Sequence, residues 1–183
     1  MPVDRERILR AAAAHLGRRP AASMDDIARA AGISRATLHR HFAGRDALVR
    51  GLEQLGVQQV RAAVDAARID EGDPAEALRR LVDRTAPLTG FLGFLMTENQ
   101  LFEPSALDPG WSEIDDGIAA LFRRGQEDGV FRVELTAPFL TEALYALVTA
   151  SAWAVQAGRV AERDAGRMTA ELLLGGLLRR EGR

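Results

Sequence analysis

Residues 23–42 read SMDDIARAAGISRATLHRHF. Ser23 stands where its hydroxyl can accept from the free amides of a helix start. Asp25 and Asp26 sit at the positive end of the same helix dipole. Gly32 is a natural stop, because glycine readily takes the left-handed conformation that ends helices. Ser34 can cap a second short helix over about 35–41. At about 100° per residue, Leu38 and Phe42 fall together and point inward. Ile27, Ala31, Ile33, Leu38 and Phe42 can share one small core, and Ala28 is small where the two helices would cross. Arg35, Ala36, His39 and Arg40 project from the other faces. A short donor-rich helix, with a small residue that allows close approach, suits insertion into the DNA major groove. A solvated polar helix on a three-helix core would fit the same pattern, so the pattern by itself leaves both readings open.

Working outward, Ile8, Leu9, Ala12 and Leu16 form a helical stripe, and Gly17 and Pro20 end it. After Gly44 a long helix is expected from about 45 to 68, with Leu48, Leu52, Leu55 and Val60 among its apolar positions. The DEGDP segment (70–74) breaks it. Further helices fit about 75–88, 91–102, 111–127, 138–157 and 162–179. They are separated by EPSALDPG (103–110) and DGVFRVELTAP (128–138). No stretch shows the period-two alternation of a strand. The expected fold is all-α with about nine helices. An N-terminal three-helix head (1–46) carries the helix-turn-helix, and a C-terminal helical body (47–183) serves ligand binding and dimerisation.

Charge divides the same way. Residues 1–50 hold ten arginines against five acids, and the rest hold fourteen against twenty-one, so +5 and −7 sum to the net −2 of the chain. A positive head on a negative body hints at nucleic acid for the head. All three histidines, His15, His39 and His41, also lie there. Every basic residue is arginine and none is lysine. The chain has no cysteine, which excludes a disulfide framework, a thiolate zinc site and a cysteine nucleophile. No metal-ligand cluster and no glycine-rich phosphate loop is visible, so the sequence offers no support for an enzyme, a metal or a cofactor. The charged start MPVDRERILR lacks a secretory h-region, and a cytoplasmic protein is expected. The apolar stretch 137–158 approaches membrane-spanning length. Glu142, Gln156 and several hydroxyls inside it favour a buried or subunit-facing helix, with no membrane partner.

Residues 7–52, RILRAAAAHLGRRPAASMDDIARAAGISRATLHRHFAGRDALVRGL, resemble the DNA-binding domain of the TetR family of bacterial transcriptional regulators. The shared elements are the first helix ending near a glycine, the Ser-x-x-Asp-Ile-Ala opening of the second and the Ala-Gly-Ile-Ser turn. The Thr-Leu-aromatic-x-His-Phe third helix and the Arg-Asp-x-Leu start of the fourth also match. The resemblance implies that Ser34, Arg35, Ala36, Thr37 and Arg40 lie at or near base edges. It implies that His39, His41 and Arg45 hold phosphates, and that Ser23 approaches the backbone. Three departures stand out. His39 replaces a usual tyrosine, Ala36 a common glycine, and Gly44 a common serine cap.

In the body, both C-terminal helices carry more than one apolar stripe. Leu140, Leu144, Leu147 and Val148 lie on one arc of the first and Trp153 on another side. Met168 and Leu172 face one way on the second, and Leu173, Leu174 and Leu177 cover others. The excess is expected to pair two helices from each subunit in a homodimer, although both could be central in one bundle. Phe91, Phe94 and Phe102 share an arc with Glu98 in their midst. That carboxylate is ion-paired with a nearby arginine such as Arg84, Arg123 or Arg124, or sits at a frayed exposed position, or orients a small-molecule effector in a pocket. Trp111, Phe122 and Trp153 are reserve lining candidates. The resemblance implies a DNA-binding regulator: a repressor that binds a palindromic operator as a dimer and is released by a small-molecule ligand. A helical protein–protein adaptor and a ligand-independent regulator are the alternatives.

Overall fold

Why helices begin and end where they do is mostly written in their caps. The computed structural model describes residues 4–99 and 109–178. Among these are nine α-helices: α1 (Arg5–Leu16), α2 (Met24–Ala30), α3 (Arg35–His41), α4 (Arg45–Ala67), α5 (Pro74–Thr85), α6 (Thr89–Asn99), α7 (Gly110–Glu127), α8 (Ala137–Gln156) and α9 (Glu162–Leu177). No strand occurs among the described residues; a lone backbone bridge joins Phe131 to Leu178. The expected all-α class and helix count hold. One boundary differs in kind. The helix expected over 75–88 stops at Thr85, a 3-10 turn covers Ala86–Leu88, and α6 starts at Thr89. Pro87, inside that turn, has no N–H to continue the ladder. Phe102, named above as a ligand candidate, lies outside the described residues.

Side chains close four of the helix starts. Asp4, Ser23, Ser34 and Asp73 each accept a first-turn amide, of Glu6, Asp26, Thr37 and Glu76 in turn. Arginines tend the far end of α4, which finishes on Arg68 in the left-handed conformation, φ 45°. Arg80 donates to the carbonyls of Ala67, Arg68 and Glu71, and Arg124 to those of Ile69 and Gly72. Two guanidinium groups thus meet the negative pole of the longest helix, where cations are favoured.

Two clusters of buried side chains divide the interior. One joins α1, α2 and α3 to the first half of α4 and extends to Phe91, Phe94 and Leu95 of α6. The other packs the second half of α4 with α5, α7, α8 and α9. The packing of the head therefore runs on past residue 46. Close approaches seat α6. A Cβ on Gly90 would meet the Gly17 carbonyl oxygen at 2.9 Å, and one on Gly93 would meet Ala152 at 2.8 Å. Gln156 of α8 also donates to the Gly17 carbonyl, 3.0 Å. By length and composition α8 could cross a membrane. Here it packs on α6, α7 and α9.

The turn after α7 folds Phe131, fully buried, over Gly125; the Phe122 and Phe131 rings lie 6.1 Å apart. A Cβ at position 125 would fall 2.1 Å from the Phe131 ring. Gly125→Ala should cost roughly 1–3 kcal/mol through overpacking, lowering Tm by roughly 2–10 °C in a thermal melt. A melting point unchanged within a degree would show that the ring moves freely.

Candidate nucleic-acid interface

Geometry at the head begins with two buried anchors. Leu38 is inaccessible and Phe42 nearly so, with the Arg5 guanidinium 4.8 Å above the Phe42 ring. Burial of these two rolls α3 so that Ser34, Arg35, Ala36, His39 and Arg40 are exposed, while Thr37 and His41 are half-buried. Ser34 Oγ accepts the Thr37 amide at 3.1 Å and shares a hydrogen bond with its hydroxyl at 2.9 Å. Thr37 Oγ1 in turn accepts from Arg40, 3.0 Å. A chain of three side chains therefore lies along the leading edge of α3. Arg35 donates to Asp25 of α2 at 3.1 Å, an exposed pair of small energetic weight that orders the guanidinium.

The turn between α2 and α3 uses Gly32 at φ +67°, with the Ile33 amide donating to Ala28. Only a residue without Cβ takes this conformation freely. Ser23 closes a full capping box: its hydroxyl accepts the Asp26 amide, and Asp26 accepts the Ser23 amide at 3.0 Å and its hydroxyl at 2.6 Å. The hydroxyl bond leads in holding the Asp26 carboxyl below its ordinary range.

Arg45, for which the resemblance implies phosphate binding, has its guanidinium folded inward. It donates to Ala22 O (3.0 Å), Pro20 O (3.1 Å) and Glu98 Oε1 (3.0 Å), above the Phe94 ring. The pair is largely sheltered, with side-chain exposures of 34% and 18%. Glu98 is thus ion-paired, as one of the readings held, and its partner is Arg45 of the head, an arginine not among those named as examples. Arg124 is taken up by the carbonyls described above.

A cavity of about 330 Å³ lies in the body. Its walls are Val60 of α4, Leu81 and Thr85 of α5, Leu92, Leu95 and Met96 of α6, Trp111, Asp115 and Ile118 of α7, and Glu142, Leu144, Tyr145 and Val148 of α8. Of the ligand candidates among the described residues, Trp111 lines it and the others do not. Phe91 and Phe94 sit on the face of α6 turned to the head, and Phe122 lies farther along α7 against Phe131. Trp153 is 61% exposed, on the side of α8 opposite Leu144. Sequence reasoning missed Asp115 and Tyr145. The signal was present: Trp111, Asp115, Ile118 and Phe122 recur at helical spacing, which puts a carboxylate on a buried stripe.

The head's arrangement, two short helices at a tight turn with the second presenting its donors outward, is that of a helix-turn-helix DNA-binding protein. Residues 8–52 match the family described as bacterial regulatory proteins, tetR family. The HTH-type transcriptional regulator NfxB of Pseudomonas aeruginosa is 34% identical over 176 residues, covering 93% of this chain and 92% of that protein. The solved structure of the TetR-like transcriptional regulator LfrR from Mycobacterium smegmatis, in complex with proflavine, superposes with a TM-score of 0.78. It is 27% identical and covers 94% of each chain. The TetR family transcriptional regulator PfmR from Thermus thermophilus gives 0.68 at 26% identity, covering 94% of this chain and 99% of that one. The chain belongs to the TetR family and is a DNA-binding transcriptional regulator.

The Arg45–Glu98 pair ties the head to α6. Glu98→Gln removes its charge while keeping an acceptor. Amide exchange around Pro20–Ser23 and the first turn of α4 should then quicken roughly fivefold, the equivalent of about 1 kcal/mol for a partly sheltered charged hydrogen bond. Protection identical to the parent would deny the pair any part in seating the head.

Proposed function

We propose that the protein is a repressor which binds a two-fold symmetric operator as a homodimer and leaves it when a small molecule fills the body cavity. The observation that carries this reading is that α6 serves both regions. Leu92, Leu95 and Met96 line the cavity, while Phe91, Phe94 and Glu98 of the same helix hold the head. A ligand that shifts α6 cannot leave the head's seat unchanged. Such control requires that the ligand prefer one of the two arrangements.

On the DNA side, Ser34, Arg35, Ala36, Thr37 and Arg40 read base edges, and His39 and His41 hold phosphates. Arg45 contributes by positioning α4 rather than by contact, and the capping box of Ser23 leaves its side chain committed to the helix start. The LfrR relative at 35% identity over 123 residues is described as a repressor, and the related structure with proflavine supports an effector site within this fold.

Dimerisation uses the apolar surface that one chain leaves uncovered. Phe139 and Trp153, with Ala146 and Ala150 between them, lie along one face of α8, and Met168 and Leu172 along α9. Contiguous exposed apolar area of this kind marks an interaction surface. Two copies joined there would set two α3 helices about 34–36 Å apart, matching one turn of DNA.

Two experiments test this. Gel shifts with the DNA upstream of the gene should show affinity falling with salt. Arg40→Ala should weaken specific binding by about 1–3 kcal/mol without loss of helicity; undiminished operator preference would remove Arg40 from the base-reading set. Leu172→Glu should yield monomers in sedimentation equilibrium and abolish operator binding. A variant that remains dimeric would place the interface elsewhere.

A further inference from the structure

Charge around the cavity is unbalanced in one direction. Its lining includes two carboxylates, Asp115 and Glu142, and no arginine or histidine among the described residues. Three acids elsewhere in the body are matched by arginine: Glu98 by Arg45, Glu113 by Arg61, Glu171 by Arg79. Neither Asp115 nor Glu142 has a basic group in ion-pair range among the described residues. Asp115 is half-buried and accepts one hydrogen bond from a side chain, that of the Tyr145 hydroxyl. Burial, with Asp116 adding to it, lifts its carboxyl above the ordinary range, against the opposing pull of the Tyr145 bond. Burial also pushes the Tyr145 hydroxyl well up, so it stays a neutral donor and supplies no countercharge. A single donor leaves most of the lone pairs of a carboxylate to water.

We infer that the cavity selects a lipophilic monocation, its apolar or aromatic body against Trp111, Leu95, Ile118 and Val148 and its positive centre against Asp115. This rests on the effector reading of the same cavity and adds the charge class. A neutral ligand of that size would strip water from Asp115 and return nothing; an anion would be repelled by both acids. A cation replaces the lost water with a charge partner, and Trp111 and Tyr145 put two aromatic rings in the same lining. Tyr145 acts as a positioning residue: its bond fixes the carboxylate that meets the ligand.

The test compares two probes of nearly equal shape, N-methylacridinium and acridine, at pH 8, where acridine is neutral. Binding to the full-length chain is read by isothermal titration calorimetry and operator release by gel shift. The cation should bind about tenfold tighter or better. Asp115→Asn, which still accepts from Tyr145, should erase that preference by weakening the cation about tenfold, with acridine held as well as before or better. Glu142→Gln should give a smaller loss. Equal binding of the two probes to the parent chain, or a cation preference that survives Asp115→Asn, overturns the inference. So does an absence of binding by both. If acridine binds as well and also releases operator, the charge class fails while the effector reading stands. If the cation binds preferentially without releasing operator, the charge class stands and the effector reading fails.

Discussion

The fold turns on how tightly α6 is held between head and body. Glycines permit this. Gly90 lets α6 touch the backbone of Gly17, and Gly93 lets it touch Ala152 of α8. Gly56 of α4 leaves room for Leu95, since a Cβ there would lie 2.5 Å from it. Close-packed contacts of this kind do not deform gradually; they shift between arrangements. A helix wedged by backbone contact on one side and lining a cavity on the other is therefore a natural relay.

Electrostatics reinforce the wedge. Arg45 gathers two carbonyls from the loop before α2, so that loop, the start of α4 and Glu98 of α6 share one guanidinium. A bidentate, always-charged side chain suits this; a lysine could not span three acceptors in fixed geometry. The inward turn of Arg45 has a consequence for the DNA face. The polar side chains left exposed on α3, Arg35, His39 and Arg40, are the ones free to make the proposed DNA contacts, and Arg40 is already oriented by Thr37. The head is organised locally, whereas its placement is organised by a contact with a residue 53 positions away.

The cavity and the proposed dimer surface lie on different faces of α8. Leu144 and Val148 look into the cavity and Tyr145 reaches Asp115, while Trp153 and Phe139 point away from the subunit. One helix can thus meet a ligand on one side and, in the proposed dimer, a second copy on the other. The surplus of apolar stripes noted in the sequence corresponds to side chains that one chain buries, such as Leu144 and Val148, and others that it leaves exposed, such as Phe139 and Trp153.

Local chemistry made the helices, the caps and the helix-turn-helix legible from sequence, because spacing, glycine and short hydroxyl or carboxylate side chains act within a few residues. Leu38 and Phe42 pointed inward as their spacing required, and the departure at Pro87 follows from the missing amide. Long-range pairing was not legible. Glu98 stood out as a carboxylate on an aromatic arc, yet its partner was one of several arginines in the chain and only the fold brought Arg45 to it. The cavity likewise exists only where five helices converge, and of the aromatic candidates Trp111 lines it while Phe91, Phe94, Phe122 and Trp153 lie elsewhere. Periodicity tells which side of a helix is apolar; it carries no information on which of several apolar surfaces that side will meet, because that depends on residues distant in the chain.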